Sequence, residues 1–268
     1  MLGLLAAAVL APVELSAIVA TAAKENWRAL PMGELVAKVG QQFLETPYVG
    51  STLDIEDHNE ACVVRLDGLD CVTFFETSLG IARMLKKGGT TMADLTREVT
   101  TTRYRGGKLD GYLSRLHYTG EWMLDNAKRG NVKDLTSVLP GSLPLGKTIN
   151  FMSTHPDKYR QLKANPGWVP DLRVYESRFE KLLRYVPKER MLEAERGLQT
   201  GDIIGIVTNV DGLDCSHTGM VVVDEELGVR FMHASSTQKK VILDGKLSDY
   251  LDKSKSSIGI MAVRPISK

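Results

Sequence analysis

One stretch of this chain decides the fold: Asp67-Gly68-Leu69-Asp70-Cys71-Val72-Thr73-Phe74-Phe75. Apolar side chains recur after Cys71 at helical spacing, and Lys86-Lys87-Gly88-Gly89 ends the pattern. Asp70 is a favourable N-cap residue because its carboxylate can accept hydrogen bonds from the N–H groups of the first turn. The sequence therefore predicts a helix over residues 71–86 with Cys71 at its N-terminus.

A cysteine in this position is suited to nucleophilic chemistry. The first turn of a helix presents unpaired N–H groups and the positive end of the helix dipole, and both favour the thiolate form. We therefore expect a lowered pKa for Cys71. The negative charge of Asp70 opposes this effect, which predicts a protonated histidine close to the thiol.

Two histidines follow in segments that resemble neighbouring strands. His217 begins the apolar run 217–223, and His233 ends the run 229–233. A tight hairpin between the two runs would bring both side chains together on the sheet. A nucleophile, a base and a third group that orients the base are what activates a thiol. The sequence therefore predicts Cys71 as nucleophile, His217 as general base and His233 as the orienting group.

Helical patterns precede strand patterns along the chain. Apolar spacing predicts helices at 33–44 and 71–86, and the stretch from residue 90 to about 198 has a helical and loop-like pattern. Short β-rich runs then predict an antiparallel meander, with strands at 202–207, 217–223, 229–233, 240–243 and 258–263. This order predicts an α+β fold.

Composition excludes several classes of protein. The 268 residues are 43% hydrophobic and 25% charged with a net charge of +1, and no basic tract or stacking motif indicates a nucleic-acid partner. The chain has three cysteines, and this small, odd number does not fit a disulfide framework. Cys215-Ser216-His217 lacks the second ligand pair of a zinc site. We therefore predict neither a metal nor another cofactor.

Several motifs, in this order along the chain, resemble those of the NlpC-type cell-wall cysteine peptidases and amidases. They are Thr46-Pro-Tyr48-Val-Gly50, Gly68-Leu-Asp-Cys71-Val-Thr-Phe-Phe75, Gly201-Asp-Ile-Ile204, Ser216-His217-Thr-Gly-Met-Val-Val222 and Met232-His233-Ala-Ser235. The residues of these motifs are most similar to the N-acetylmuramoyl-L-alanine amidase-like branch. Three further segments add to that likeness: 103–107, 116–122 and 149–155. The resemblance implies a papain-like α+β fold with a Cys–His–polar triad.

The resemblance also implies roles for individual residues. Cys71, His217 and His233 match the nucleophile, the base and the third triad position, and Tyr48 matches the aromatic residue that shapes the oxyanion site. Four further residues are predicted to contribute to the substrate or oxyanion site: Asp70, Ser216, Trp122 and His155. For Trp122 and His155, a purely structural role is an equal alternative.

One part of the chain departs from the superfamily pattern. Standard members have a much shorter connection between the cysteine and the histidine, whereas here residues 88–199 intervene. We expect this segment, called the helical lobe below, to wall the cleft and restrict the substrates. Residues 23–268 would then form a single catalytic domain that includes the lobe.

The substrate follows from the resemblance. It implies hydrolysis of the amide bond between N-acetylmuramic acid and L-alanine in peptidoglycan fragments, the muropeptides. The alternatives are a peptidase that cuts the stem peptide, a muropeptide-binding module without activity, and acyl transfer to an amine through the same thioester.

The N-terminus resembles an export signal. Leu2 to Ala11 is an unbroken apolar run, and small residues that suit a cleavage site follow up to Ala22. No basic residue precedes Lys24, so a buried N-terminal helix is the alternative. We predict a signal peptide over residues 1–22 and a location in the periplasm or cell envelope. The run is too short to span a membrane.

Overall fold

The computed structural model describes residues 12–267, so the apolar run Leu2 to Ala11 lies outside the described part. Its helices are α1 (Leu15–Lys24), α2 (Met32–Gln41), α3 (Cys71–Lys86), α4 (Met92–Arg103), α5 (Thr119–Lys128), α6 (Phe151–Thr154), α7 (Arg160–Ala164), α8 (Val169–Phe179), α9 (Met191–Ala194) and α10 (Leu247–Asp252). Its strands are β1 (Val132–Asp134), β2 (Leu143–Pro144), β3 (Arg184–Pro187), β4 (Ile203–Thr208), β5 (Cys215–Asp224), β6 (Gly228–Ser235), β7 (Lys240–Lys246) and β8 (Ser257–Pro265). The predicted α+β class is confirmed.

Helix α3 has the predicted bounds because its N-terminus is capped by its own sequence. The Asp70 carboxylate accepts hydrogen bonds from the N–H groups of Val72 at 3.0 Å and Thr73 at 2.7 Å. The Asp70 N–H donates in return to Thr73 Oγ1 at 2.8 Å, which completes a capping box. Local chemistry therefore starts the helix at Cys71.

The described strands form one sheet with the order β2-β3-β8-β4-β5-β6-β7, and β1 also pairs with β8. Strands β4 to β7 are the predicted meander. The last strand differs from the prediction, because β8 returns across the sheet and pairs with β4 instead of continuing beyond β7. Each of these pairings is antiparallel.

Helices α2 and α3 pack against one face of the sheet. A Cβ atom at Gly40 in α2 would lie 2.9 Å from the side chains of Met220 and Met232, so glycine permits this close approach. A smaller core on the opposite face contains Ile206, Phe231 and Leu247. The central strands are therefore buried on both faces, and the site lies where α3 begins.

The helical lobe contains strands that the sequence analysis does not predict. Besides α4 to α9, residues 88–199 include β1, β2 and β3, and β1 and β3 extend the sheet through β8. These strands have two to four residues, which is too short for an alternating pattern to appear. Pro187 ends β3, and helical turns follow it directly over residues 188–197.

The N-terminal helix is part of the packed fold. Leu15, Ile18 and Ala22 of α1 are buried and belong to the main hydrophobic core. Loss of residues up to Ala22 would therefore uncover part of that core. No helix in residues 12–267 is long and apolar enough to cross a membrane.

Candidate active site

Cys71 is held at the junction of α3 and the sheet. Thr218 Oγ1 donates a hydrogen bond to the carbonyl oxygen of Cys71 at 2.8 Å, and the Cys71 side chain is half-buried. Because the Asp70 carboxylate binds the N–H groups of Val72 and Thr73, the cap leaves the Cys71 N–H without an acceptor among residues 12–267. The thiol and one free backbone donor therefore lie at the same helix end.

The two predicted histidines are direct neighbours. His217 on β5 and His233 on β6 are joined by a 2.8 Å hydrogen bond between His217 Nε2 and His233 Nδ1, and their rings are nearly perpendicular. The predicted adjacency is confirmed. Since this bond occupies Nε2, the nitrogen of His217 that remains for the thiol is Nδ1.

A carboxylate continues this chain of polar groups. Asp244 Oδ2 on β7 lies 3.8 Å from His233 Nε2, and His233 Nε2 is a buried nitrogen with no hydrogen-bond partner in the described residues. At this distance the pair interacts by charge or through a bridging water and not by a direct hydrogen bond. Asp244 is therefore placed to orient His233, as His233 is placed to orient His217.

Tyr250 connects the histidines with the cysteine. Its ring stacks on His217 with the centroids 5.9 Å apart and lies edge-on to His233 at 5.1 Å. Burial, followed by the negative charge that Cys71 carries as thiolate, raises the pKa of Tyr250 to about 12. The tyrosine thus neighbours both halves of the site.

A pocket opens beside the histidine pair. Its volume is about 380 Å³, and its walls include Ser216, His217, His233, Asp244 and Tyr250. The hydroxyl and amide groups of residues 235–238 complete one side. A polar substrate segment could therefore reach the base directly. Among the described residues, no group of three or more His, Cys, Asp or Glu side chains is arranged to hold a metal ion.

The protonation states differ from the prediction of a lowered thiol pKa. Burial, reinforced by the Asp70 carboxylate, raises the pKa of Cys71 to about 11. Burial, with the neighbouring His233, lowers the pKa of His217 to about 3, and burial lowers that of His233 to about 4. For Cys71, desolvation thus outweighs the hydrogen bonds from Thr218 that favour the thiolate. The resting site at neutral pH contains a neutral thiol and neutral imidazoles.

Tyr48 lies beside the nucleophile segment. It forms a parallel bridge with Leu69, and its N–H donates to the carbonyl oxygen of Lys239 at 2.8 Å. Burial and then the charge of the Cys71 thiolate raise the pKa of the Tyr48 hydroxyl. The structure therefore brings Tyr48 close to Cys71.

The other predicted site residues fall into two groups. Asp70 is the helix cap described above, and exposed Ser216 lines the pocket beside His217. Trp122 is 2% exposed and donates from Nε1 to Glu76 Oε1 at 3.1 Å, so it is a core residue and not a wall of the cleft. Exposed His155 contacts Thr154 and stacks on Phe151. The structure thus favours the purely structural role for Trp122.

The pentapeptide Asp-Gly-Leu-Asp-Cys of residues 67–71 occurs again at residues 211–215, where its environment is different. Cys215 is the first residue of β5 and is buried, and burial raises its pKa well above the ordinary value. Asp214 Oδ2 accepts a hydrogen bond from the Gly120 N–H at 2.6 Å, so it caps the N-terminus of α5, which has no cap of its own. The two copies share a capping aspartate, but Cys71 is half-buried whereas Cys215 is buried.

Three contacts of the site have no signal in the sequence. Thr218, Asp244 and Tyr250 are ordinary residues in their local segments, and only strand pairing and the packing of α10 bring them to Cys71 and the histidines.

Several solved structures are similar to this protein over most of its chain. An N-acetylmuramoyl-L-alanine amidase from Bacteroides uniformis is 33% identical with a TM-score of 0.81, covering 88% of this chain and 99% of that chain. A Bacteroides fragilis protein named as a candidate xylanase is 35% identical with a TM-score of 0.77, covering 85% and 99%. A Legionella pneumophila protein of the DUF1460 family is 25% identical with a TM-score of 0.67, covering 94% and 99%.

The comparison with protein families gives the same result. The AmiA-like family model, described as N-acetylmuramoyl-L-alanine amidase-like, matches residues 38–260. Comparison with curated proteins gave no significant match. The matched range contains the thiol, the histidine pair, Asp244 and Tyr250. The chain therefore belongs to the AmiA-like family of N-acetylmuramoyl-L-alanine amidase-like proteins.

Proposed function

We propose that the protein is a cysteine-dependent amidase of the NlpC-type papain-like superfamily. The observation that carries this proposal is the Thr218–Cys71 hydrogen bond of 2.8 Å, which fixes the thiol-bearing helix end to the residue that follows His217. His217 is in turn hydrogen-bonded to His233 at 2.8 Å. The helix end that bears the proposed nucleophile is thereby fixed to the strand that carries the proposed base, and the base contacts the orienting group directly.

The protonation states define the proposed chemistry. Cys71 Sγ attacks the amide carbonyl while His217 Nδ1 takes the thiol proton, because both groups are neutral at rest. The Cys71 N–H stabilises the oxyanion, and Tyr48 assists it. His217 then donates the proton to the leaving amine as the C–N bond breaks, and a thioester remains. Water activated by His217 hydrolyses the thioester and restores the thiol.

The substrate assignment rests on family membership. We propose that the bond is the amide between N-acetylmuramic acid and L-alanine in muropeptides, and that the helical lobe restricts access to such fragments. A stem-peptide endopeptidase is the alternative with the same chemistry. A binding module without activity is a weaker alternative, since thiol, base and free N–H donor are all present.

Glycoside hydrolysis is disfavoured by the pocket. That reaction needs two carboxyl groups that flank the glycosidic bond. Among the described residues, Asp244 is the one carboxylate in the pocket wall, and it faces His233. The geometry therefore favours an amidase over the activity named for the Bacteroides fragilis relative.

The test is a product analysis. The protein is incubated with muropeptides that carry N-acetylmuramic acid and with the matching sugar-free stem peptides, and the products are identified by mass spectrometry. Release of the intact stem peptide from its sugar supports the amidase. Cleavage of both substrates within the stem would identify the endopeptidase, and binding without turnover would identify the binding module.

Export remains a proposal that rests on the apolar run Leu2 to Ala11. Helix α1 limits where the proposed signal peptide could be cleaved, because Leu15 and Ile18 are buried in the main core. A mature protein that keeps this helix requires cleavage before Leu15 instead of after Ala22. We propose that the catalytic fold then functions in the periplasm or cell envelope.

A further inference from the structure

A long loop joins the two ends of the proposed oxyanion site. Residues 49–69, called the nucleophile loop here, contain no helix or strand and connect Tyr48 to Asp70 and Cys71. The loop is closed at its base, where the Val49 N–H donates to the Leu69 carbonyl oxygen at 3.0 Å. Loops of this length are uncommon in compact domains and are often functional. The two ends of the loop therefore lie beside Tyr48 and the residue that bears the thiol.

Arg115 of the helical lobe clamps the middle of this loop. Its guanidinium donates from Nη2 to Glu60 Oε2 at 2.9 Å and from Nη1 to Asp54 Oδ1 at 3.3 Å. The side chains of Arg115 and Glu60 are 8% and 2% exposed. Tyr104 donates to the other oxygen of Glu60 at 2.8 Å. Since both charges are shielded from water and paired, opening this contact is costly.

Two other arginines of the lobe also bind the loop. Arg103, at the end of α4, donates to the Val63 carbonyl oxygen at 2.6 Å and to Glu76 of α3 at 2.7 Å. Arg160 pairs with Asp57 at the surface. Among these three arginines, Arg115 provides a buried link that spans two loop carboxylates.

We propose that Arg115 is a positioning residue that keeps the nucleophile loop closed and so fixes Tyr48 and Cys71 in register for attack. The proposal rests on the proposed function for its kinetic consequence only. If the Arg115–Glu60 pair is lost, the loop can lift from the lobe and shift its base, where Tyr48 and Leu69 are bridged. A displacement of about 1 Å at reacting groups can cost about 100-fold in rate.

The test compares Arg115→Met with Arg83→Met in the full chain. Arg83 forms an equally buried pair with Glu98, at 3.0 Å, but lies about three helical turns from Cys71. We expect both variants to lose thermal stability. Only Arg115→Met should lower kcat for muropeptides, by about 10- to 100-fold, and raise the iodoacetamide alkylation rate of Cys71 several-fold. Arg115→Lys, which keeps the charge, should restore part of kcat.

Alkylation separates this inference from the proposed function. If the wild-type protein hydrolyses no muropeptide, the proposed function fails, but the alkylation rates of the Cys71 peptide, measured by mass spectrometry, still decide the role of Arg115. Equal kcat and alkylation effects in the Arg115 and Arg83 variants would overturn the inference. If Arg115→Met does not fold, Glu60→Gln takes its place, because it weakens the same pair and retains the side-chain shape.

Discussion

Thr218 donates from Oγ1 to the carbonyl oxygen of Cys71 at 2.8 Å, and this contact joins two segments that are 147 residues apart in the chain. Cys71 begins α3, whereas Thr218 follows His217 on β5. Because the carbonyl belongs to the residue that bears the thiol, the hydrogen bond fixes that residue against the strand that carries the base. This hydrogen bond therefore helps to set the spacing between the helix that carries the proposed nucleophile and the strand that carries the proposed base.

Loss of the Thr218 hydrogen bond should lower kcat as well as stability, whereas loss of a comparable hydrogen bond away from the site should lower stability alone. Thr218→Val should lower the free energy of unfolding by about 1 kcal/mol, the net value of one hydrogen bond, and should lower kcat by about tenfold because Cys71 is less constrained. Thr136→Val removes a buried hydroxyl that bonds Ala262, on the far side of the sheet, and is the control. Equal kcat values in the two variants would argue against this positioning role.

The two cysteines of the repeated motif should behave differently. We expect Cys71→Ser to abolish muropeptide hydrolysis and Cys215→Ser to retain most of it, since Cys215 opens a strand and its thiol is buried. Turnover measured by mass spectrometry checks this, and a chelator should leave wild-type activity unchanged. Activity lost only in the Cys215 variant would reverse the assignment.

The raised thiol pKa predicts a particular alkylation profile. Because the pKa of Cys71 is raised to about 11 by burial and by the Asp70 charge, its alkylation rate should keep increasing between pH 7 and pH 10. Asp70→Asn keeps a good N-cap residue but removes the charge, so it should increase the rate at pH 8. A plateau of the wild-type rate at neutral pH would instead indicate a preformed thiolate–imidazolium pair.

The neutral histidines predict a loss of stability in acid. The pKa values of His217 and His233 are lowered from 6.5 to about 3 and about 4, so the unfolded chain binds more protons between these values and 6.5. The free energy of unfolding should therefore fall as pH decreases through this window. Thermal melts of a His217→Gln/His233→Gln variant should show a shallower decline than the wild type. Identical slopes in the two proteins would contradict the lowered values.

Export predicts a defined mature N-terminus. If the full-length chain is produced in a bacterium and the exported protein is sequenced, we expect it to begin between residues 12 and 15, because a later start would remove buried residues of α1. A protein that stays inside the cell and still begins at Met1 would count against export. A start after Ala22 would support export but require the fold to form without α1.

Much of the site follows from short-range rules. The sequence predicts the bounds of α3, the capping role of Asp70 and the strands that carry His217 and His233, since capping and periodicity depend on residues a few positions apart. It also separates Cys71 from Cys215, because only one of them opens a helix. The likeness to the amidase-like family depends on those same local motifs and on their order.

The sequence by itself thus determined the helix that presents the thiol, the strands of the histidines and the α+β class. Only the tertiary structure decided that β8 pairs with β4, that Trp122 is a core residue and that Thr218, Asp244 and Tyr250 join the site. It also reversed the expected direction of the Cys71 pKa. Local sequence supplies the helix N-terminus, but the desolvation that raises the thiol pKa comes from segments distant in the chain, which contact the thiol only after folding.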